Sequence, residues 1–247
     1  MKKTKIIMGM PITVEVITGA TLANIESIFK YFRSVDEQFS TYKPTSEISK
    51  VNDGLPKSKW SSQMKLVFEL CQETKEATHG YFNINHKGKI DPSGLVKGWA
   101  VFNAAQLLHA SGATNFYIEA GGDIQVNGHN SDNSQWLVGI RNPFNIEEII
   151  KIVRLDGQGM ATSGTYIRGQ HIYNPHHSDE EIKDIKSLTV IAANVYEADR
   201  FATAAFAMGN KGIGFIEQLP GLEGYVVGAD GIATFTSGFE SYVVSHA

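Results

Sequence analysis

Two oxygen-bearing side chains at helical spacing are the first candidates for chemistry. Asp199 and Thr203 lie four residues apart in a segment whose start has capping-box spacing, with Asn194 followed three residues later by Glu197. Residues four apart project from one face of a helix, and oxygen is the ligand type that Mg²⁺ requires. The pair is a candidate magnesium site, although spacing alone favours a solvated Asp and a Thr bonded to a helix carbonyl.

The segment DPSGLVKGWA, at 91 to 100, is a second candidate. Gly94 and Gly98 allow the backbone to approach a bulky ligand, and a helix that begins just after them presents free N–H groups to a phosphate. Lys97 between them either neutralises phosphate oxygens or covers a surface. We therefore expect a nucleotide here.

Polar residues are also dense between 161 and 175, where the chain holds Thr162, Ser163, Gly164, Arg168, His171 and Asn174. An arginine and a histidine beside a Ser-Gly turn suit phosphate binding and proton transfer, because histidine titrates near neutral pH. A hairpin loop with an arginine exposed to water explains the same residues. Both interpretations stand on the sequence alone.

These candidates need supporting elements, and the hydrophobic periodicities predict a mixed α+β pattern. Helices are predicted from Leu22 to Val35, from Ser61 to His79 with Gly80 as the stop, from Gly98 to Gly112, and from Asn194 to Gly209. Strands are predicted at the N-terminus, at 115–120 and 124–126 around a Gly-Gly turn, and at 136–140, 149–155 and 188–192. Asp-Gly turns are predicted at 156–157 and 230–231.

Composition limits the function classes. The chain has 247 residues, 42% of them hydrophobic, which is enough for one domain or two closely packed lobes. A formal net charge of −4 argues against nucleic-acid and anionic-membrane partners. No segment approaches the roughly 20 apolar residues of a membrane span or has the pattern of a secretory signal, so a cytoplasmic location is expected. The single Cys71 is predicted to be a core thiol.

Eight short motifs follow one another along the chain: Met8-Gly9-Met10, FSTYKPTSEISKVN at 39–52, GYFN at 80–83, DPSGLVKGWA at 91–100, EAGGDIQVNG at 119–128, ATSGTY at 161–166, HIYNP at 171–175 and EADRFATAAFAMG at 197–209. Together they resemble the FAD:protein FMN transferase family, also called ApbE-like. The resemblance spans nearly the whole chain, and independent motifs rarely agree in order and context. It implies one ApbE-like domain over 1–247, with a T-fold-related mixed sheet, packed helices and two closely associated lobes.

The resemblance also implies roles for individual residues. By similarity, aromatic and apolar groups line the flavin and adenosine pocket, Asp91 contacts the dinucleotide, and Tyr173 lies against the FAD; the lining group is Met8, Tyr42, Tyr81, Phe82 and Asn83. Gly94 offers its carbonyl to Mg²⁺, with Asp199 and Thr203 as side-chain ligands. His171 becomes the candidate proton carrier beside the phosphates, and Lys97 is a secondary phosphate-binding candidate.

The implied reaction is transfer of FMN from FAD to a threonine hydroxyl of an acceptor protein that carries an S/T-G-A-T type motif, with release of AMP. Mg²⁺ is the implied cofactor and FAD the substrate. An alternative is a protein that binds FAD, or splits it to FMN and AMP, without a protein acceptor. The paired Asp199 and Thr203 favour the transferase, because a carrier needs no metal at the pyrophosphate.

The chain departs from the family pattern in three places. Asn174 replaces the usual Asp of H-x-x-D-P, and Asn83 and Asn85 stand in the usual Phe-Asp-x-Thr segment. Only five residues separate Asn85 from Asp91, where most members carry a longer insertion, so a shortened lobe is expected. The chain also has no lipobox cysteine, so a short variant without a signal peptide is expected.

Two internal segments resemble the acceptor motif itself, at 18–21 and 111–114. Self-modification is conceivable, but turn and helix-capping roles for Gly19 and Gly112 are the preferred interpretation. Asp123, after the Gly-Gly turn, is predicted to hold that turn by an Asx hydrogen bond. The sequence leaves the oligomeric state open.

Overall fold

A large antiparallel sheet forms the centre of the computed structural model, which describes residues 1–165, 172–177 and 180–244. Its eight strands run in the order β1-β2-β5-β6-β9-β10-β11-β12, and each neighbouring pair is antiparallel. The strands are β1 (Lys2–Ile7), β2 (Met10–Thr18), β3 (Asn85–His86), β4 (Lys89–Ile90), β5 (Asn115–Ala120), β6 (Asp123–Asn127), β7 (Trp136–Asn142), β8 (Asn145–Leu155), β9 (Gly159–Gly164), β10 (Ile185–Ala192), β11 (Glu223–Gly228) and β12 (Ala233–Phe235). The α+β class is confirmed, with an antiparallel sheet where a mixed one was expected.

Six α-helices accompany the strands in the described part of the chain: α1 (Leu22–Phe39), α2 (Glu47–Asn52), α3 (Ser62–Ala77), α4 (Ser93–Ala110), α5 (Val195–Ala207) and α6 (Gly212–Glu217). Ser61 caps α3 and Asn194 caps α5, both as predicted, because each side chain accepts a backbone N–H of the first turn. The reciprocal half of the predicted capping box is not formed, since the Glu197 carboxylate pairs with Arg200 instead. No described helix is long and apolar enough to cross a bilayer.

The core lies on both faces of the large sheet, as strand alternation requires. The face under α1, α3 and α4 buries Phe29, Phe32 and Phe116, and α5 packs Phe206 against β10. The β7–β8 hairpin covers the opposite face with Trp136 and other apolar residues. Cys71 is 2% exposed, and burial raises the pKa of its thiol to about 12, which confirms it as a core residue.

Two boundaries differ from the sequence prediction. The N-terminal strand is a hairpin, because Met8 and Gly9 both adopt positive φ angles (56° and 72°) and turn the chain between β1 and β2. The third predicted helix starts at Ser93 and not after Gly98, so Gly94 and Gly98 lie inside α4. The sequence pattern favours a loop at these glycines, because a local pattern contains no information about α5, the helix that packs against them.

Candidate functional site

A cavity of about 650 Å³ opens where α4, α5, the β3–β4 hairpin and the segment 172–175 meet. Its volume lies within the range of small-molecule sites. Its wall contains Thr41, Tyr42, Ser49, Asn52, Asp53, Tyr81, Phe82, Asn83, Ile84, His86, Lys87, Lys89, Ile90, Asp91, Ser93, Gly94, Lys97, Gly121, Thr162, Ser163, Gly164, Ile172, Tyr173, Pro175, Asp199 and Thr203. Residues from five separate stretches of sequence therefore face one space.

The inner part of the cavity is the α4–α5 junction, which we define as Gly94, Lys97 and Gly98 of α4 with Asp199 and Thr203 of α5. The Gly98 N–H donates to Asp199 Oδ2 at 2.7 Å, and Thr203 Oγ1 donates to the Gly94 carbonyl at 3.1 Å. In a regular α-helix the Gly94 carbonyl and the Gly98 N–H, four residues apart, would bond only each other. Here the carbonyl also accepts from Thr203 and the N–H also donates to Asp199, so polar contacts join the two helices.

Glycine is required at the junction because the helices approach closely. A Cβ at position 98 would lie 2.5 Å from Asp199 Cβ and 2.8 Å from the Val195 carbonyl. A Cβ at position 94 would lie 2.9 Å from Thr203 Cγ2. These distances are shorter than real carbon contacts, so any larger residue would separate α4 from α5.

The start of α5 is fixed on the central sheet. Asn194 accepts the Glu197 N–H at 3.0 Å, and Gln125 of β6 accepts the Val195 N–H at 2.8 Å. Two of the free N–H groups of the first turn are therefore satisfied. This anchoring sets the rotation of the helix, so that Asp199 and Thr203, one turn apart, both face the cavity.

A buried charge cluster lies beside the junction. Lys97 Nζ is 2.7 Å from Asp123 Oδ1 and 3.7 Å from Asp199 Oδ1. The Lys97 side chain is 15% exposed and Asp123 is fully buried. Burial is the largest cause, and the Asp199 carboxylate the next, of a pKa of Asp123 well above its usual value. The Lys97 ammonium opposes this rise in the pKa. The alternative that Lys97 merely covers a surface is therefore wrong.

The outer part of the cavity is the hairpin rim, which we define as the β3–β4 hairpin with Asn52 and Tyr173. The Tyr173 hydroxyl lies 2.8 Å from the carbonyls of both Asn83 and Asn85, and its ring centroid is 3.8 Å from that of His86. The Asn52 side chain donates to the Ile90 carbonyl and accepts its N–H, as a neighbouring strand would. Contacts from both sides thus hold the short hairpin.

Most of the predicted site residues converge on this cavity. The predicted residues in its wall are Tyr42, Tyr81, Phe82, Asn83, Asp91, Gly94, Lys97, Tyr173, Asp199 and Thr203. Met8 is not in this wall; it lies at the β1–β2 turn and packs on the hydrophobic core. His171, together with Arg168, lies outside the described residues. Asp91 also accepts the Ser93 N–H at 2.9 Å, so it shapes the start of α4.

The described parts of the polar segment from 161 to 175 lie in a strand and in a turn. Thr162, Ser163 and Gly164 end β9 and line the cavity, so they belong to a strand and not to a hairpin loop. Asn174 holds a turn by accepting the His176 N–H on its side chain at 2.9 Å. The polar character of 162–164 therefore reflects a strand that ends at the cavity wall.

Asp123, Asn52 and His86 also belong to the site, although the sequence pattern did not indicate them. The Asx bond predicted for Asp123 is wrong, because neither of its oxygens has hydrogen-bond geometry to a described residue and its close contact is Lys97. One signal was present: Asp123 and Gln125 alternate with Ile124 and Val126 in a buried strand. Such polar alternation indicates that one face of β6 meets polar groups.

The residues present fit a magnesium ion by the chemistry of their donors. The Gly94 carbonyl, the Thr203 hydroxyl and the Asp199 carboxylate all offer oxygen, the ligand type that Mg²⁺ prefers, and the first two groups are 3.1 Å apart. Among the described residues, no group of three or more His, Cys, Asp or Glu side chains forms an all-protein metal site. A cation here needs further oxygens, such as those of a substrate phosphate, which is the usual way that Mg²⁺ binds.

The two internal segments that resemble the acceptor motif lie together at the far end of α4. Thr18 Oγ1 and Thr114 Oγ1 are 3.3 Å apart, and Gly19 and Gly112 have φ angles of +85° and +91°. Helix α4 has 18 residues, which makes it about 27 Å long at 1.5 Å per residue. Gly19 serves a turn and Gly112 ends α4, both as preferred from the sequence. The helix separates these hydroxyls from the α4–α5 junction.

Comparison with known protein families finds a match over most of the chain. A model of the ApbE family matches residues 8–88 and 84–226. The chain belongs to the ApbE family. The two matched segments overlap at 84–88, inside the hairpin rim.

Sequence relatives of this ApbE-family chain include the FAD:protein FMN transferases of Escherichia coli K12 and Vibrio cholerae. The first is 27% identical over 168 residues, which is 63% of this chain and 48% of the relative. The second is 30% identical over 131 residues, which is 49% of this chain and 39% of the relative. The chain therefore spans about half the length of the curated relatives it matches.

Solved structures show the same fold over almost the full length. The ApbE protein from Thermotoga maritima superimposes with a TM-score of 0.88 at 20% identity and 99% coverage of both chains. The flavin transferase ApbE from Vibrio cholerae gives a TM-score of 0.85 at 22% identity and 98% coverage of both. At these identities the likeness shows the ApbE fold alone.

Proposed function

We propose that this chain catalyses Mg²⁺-dependent transfer of FMN from FAD to a threonine hydroxyl of an acceptor protein, with release of AMP. The observation that carries the proposal is the convergence of the Gly94 carbonyl, Asp199 and Thr203 in the wall of an aromatic-lined cavity. Membership of the ApbE family supports it, as do relatives named FAD:protein FMN transferase.

The cavity suits a flavin dinucleotide. Tyr81, Phe82 and Tyr173 lie in its wall, and aromatic faces stack on planar ring systems. Tyr42, 95% exposed at the mouth, offers a further ring without any reorganisation of the core. We assign the isoalloxazine and adenine groups to this aromatic part and the pyrophosphate to the α4–α5 junction.

Three oxygen donors at the junction hold the cation, and Lys97 adds a fixed positive charge nearby. Bound Mg²⁺ would offset negative charge on the transferred phosphoryl group and on departing AMP. The chain itself orients the phosphates, because its donors sit on two helices that cannot shift independently. Tight packing at Gly94 and Gly98 keeps that orientation.

The proposed reaction exchanges one phosphorus–oxygen bond for another. The acceptor hydroxyl oxygen bonds to the FMN phosphorus, the bond from that phosphorus to the AMP oxygen breaks, and AMP leaves with the bridging oxygen. The proton of the hydroxyl passes to a base, for which His171 remains our candidate. The acceptor is proposed to carry an S/T-G-A-T type motif, and the ApbE domain over 1–247 to act in the cytoplasm.

A direct test incubates the chain with FAD, Mg²⁺ and a small protein that carries an S/T-G-A-T segment. The acceptor should gain the mass of FMN, and one AMP should appear for each modified acceptor. An acceptor with Val in place of the threonine is the matched control, and EDTA should stop both products. AMP and free FMN released at the same rate without any acceptor would support FAD hydrolysis in place of transfer.

A further inference from the structure

The buried lysine of the α4–α5 junction is shared unequally between two carboxylates. Lys97 Nζ lies 2.7 Å from Asp123 Oδ1, a normal distance for a charge-assisted contact, and 3.7 Å from Asp199 Oδ1. The ammonium is therefore drawn about one ångström closer to Asp123. The second oxygen of Asp199 is already occupied, because Oδ2 accepts the Gly98 N–H at 2.7 Å.

This arrangement decides what is available to bind a cation. Asp199 Oδ1 is the oxygen that the Gly98 amide does not use, and an ammonium in direct contact would compete with a metal for it. Asp123 is fully buried and absent from the cavity wall, so it does not touch a ligand itself. It can act on the site through the Lys97 ammonium, which it contacts, and through its own charge beside the Asp199 carboxylate.

We propose that Asp123 is a positioning residue that holds the Lys97 ammonium away from Asp199 and so leaves Asp199 Oδ1 available to a divalent cation. The inference rests on the proposed function, since it assumes that Asp199 is a metal ligand. Lys97 keeps its positive charge beside the phosphates, and Asp123 sets where that charge lies. Lys97 of α4 and the proposed metal ligand Asp199 of α5 can thereby lie side by side.

The fold explains how Asp123 reaches this position. It begins β6 immediately after Gly121 and Gly122, whose positive φ angles (57° and 95°) bring the chain back from β5. Strand alternation then points Asp123 and Gln125 toward the helices. Gln125 anchors the α5 N-terminus, so the same strand face positions both the helix that bears Asp199 and the lysine next to it.

The inference is tested by cation affinity and not by turnover. Mn²⁺, an EPR-detected substitute for Mg²⁺, is titrated into each variant in the presence of ADP as a diphosphate. Asp123→Asn should weaken Mn²⁺ binding by about tenfold, the order of a coupling between charges in contact. The double variant Asp123→Asn/Lys97→Met removes the competing ammonium and should return the Mn²⁺ Kd to within about threefold of the unmodified chain.

Matched variants separate the outcomes. Asp132→Asn, in an exposed loop outside the cavity wall, is the charge control and should leave the Kd unchanged. Melting temperatures confirm folding, and the double variant is expected to fold because buried ion pairs tolerate replacement by uncharged groups of similar size. An unchanged Kd for Asp123→Asn, or no recovery in the double variant, overturns the inference and leaves the proposed function intact. Equal Mn²⁺ binding by the unmodified chain and Asp199→Ala removes the metal role and, with it, both proposals.

Discussion

The α4–α5 junction and the hairpin rim face the same cavity but are built differently. The junction is buried or half-buried, and Gly98 lets two helices approach so closely that a Cβ added there would lie 2.5 Å from Asp199 Cβ. The rim is largely exposed and is held by a few hydrogen bonds from Asn52 and Tyr173. Substitutions at the junction should therefore change geometry and chemistry, whereas substitutions at the rim should change affinity.

The family match shows the same contrast. The junction residues lie within one uninterrupted matched segment, whereas the overlap of the two segments falls in the hairpin rim. The hairpin itself consists of two short strands with a turn at Lys87 and Gly88. The residues proposed to hold the phosphates therefore lie inside a continuous family match, and the overlap of the two matched segments falls at the hairpin.

The largest effect is expected from Asp199→Ala at the junction. Loss of the carboxylate removes the charged metal ligand, which is expected to contribute several kcal/mol of transition-state stabilisation. Because about 1.36 kcal/mol corresponds to a tenfold change in rate, AMP release should fall about a thousandfold. HPLC of AMP formed from FAD and Mg²⁺ measures this. Circular dichroism serves as the folding control, and unchanged activity in a folded variant would remove Asp199 from the site.

Gly98→Ala should have the next largest effect. The new methyl group must displace Asp199 or the Val195 carbonyl, so we expect about 1–3 kcal/mol of destabilisation from overpacking, together with a large loss of AMP release. Gly214→Ala in α6 is the control, because no atom lies within 4 Å of its added Cβ, and it should gain up to about 1 kcal/mol. Urea unfolding compares the two, and similar behaviour of both variants would contradict a close helix contact.

Thr203→Val should reduce cation affinity without altering packing. Valine keeps the shape of threonine but removes the hydroxyl that lies 3.1 Å from the Gly94 carbonyl. We expect the Mg²⁺ concentration for half-maximal AMP release to rise by about 10- to 100-fold, as for other groups that support a metal site. Thr203→Ser retains the oxygen and should stay within about threefold of the unmodified chain. If the two variants match, the hydroxyl is not a ligand.

Local pattern predicted the parts of this fold that depend on neighbours in sequence. Asn194 and Ser61 were identified as caps because a cap bonds within three residues, and Asp199 and Thr203 were paired because helical spacing places them on one face. The start of α4 was not predictable, since Gly98 is explained by a contact with Asp199, 101 residues away. The role of Asp123 was missed for the same reason, because only the tertiary fold brings it to Lys97.

The smallest effect should come from the rim, where Tyr173→Phe removes two polar contacts and keeps the ring. The hydroxyl lies 2.8 Å from the carbonyls of Asn83 and Asn85, and its loss should cost about 1 kcal/mol because such bonds are partly replaced by water. The KM for FAD should then rise about fivefold, with kcat nearly unchanged. The reason is that a looser hairpin weakens the binding of the ground state and of the transition state by the same amount. Tyr42→Phe is the control, because Tyr42 is 95% exposed and its hydroxyl should matter little. A fall in kcat with Tyr173→Phe would mean that the rim, like the junction, shapes the reacting geometry.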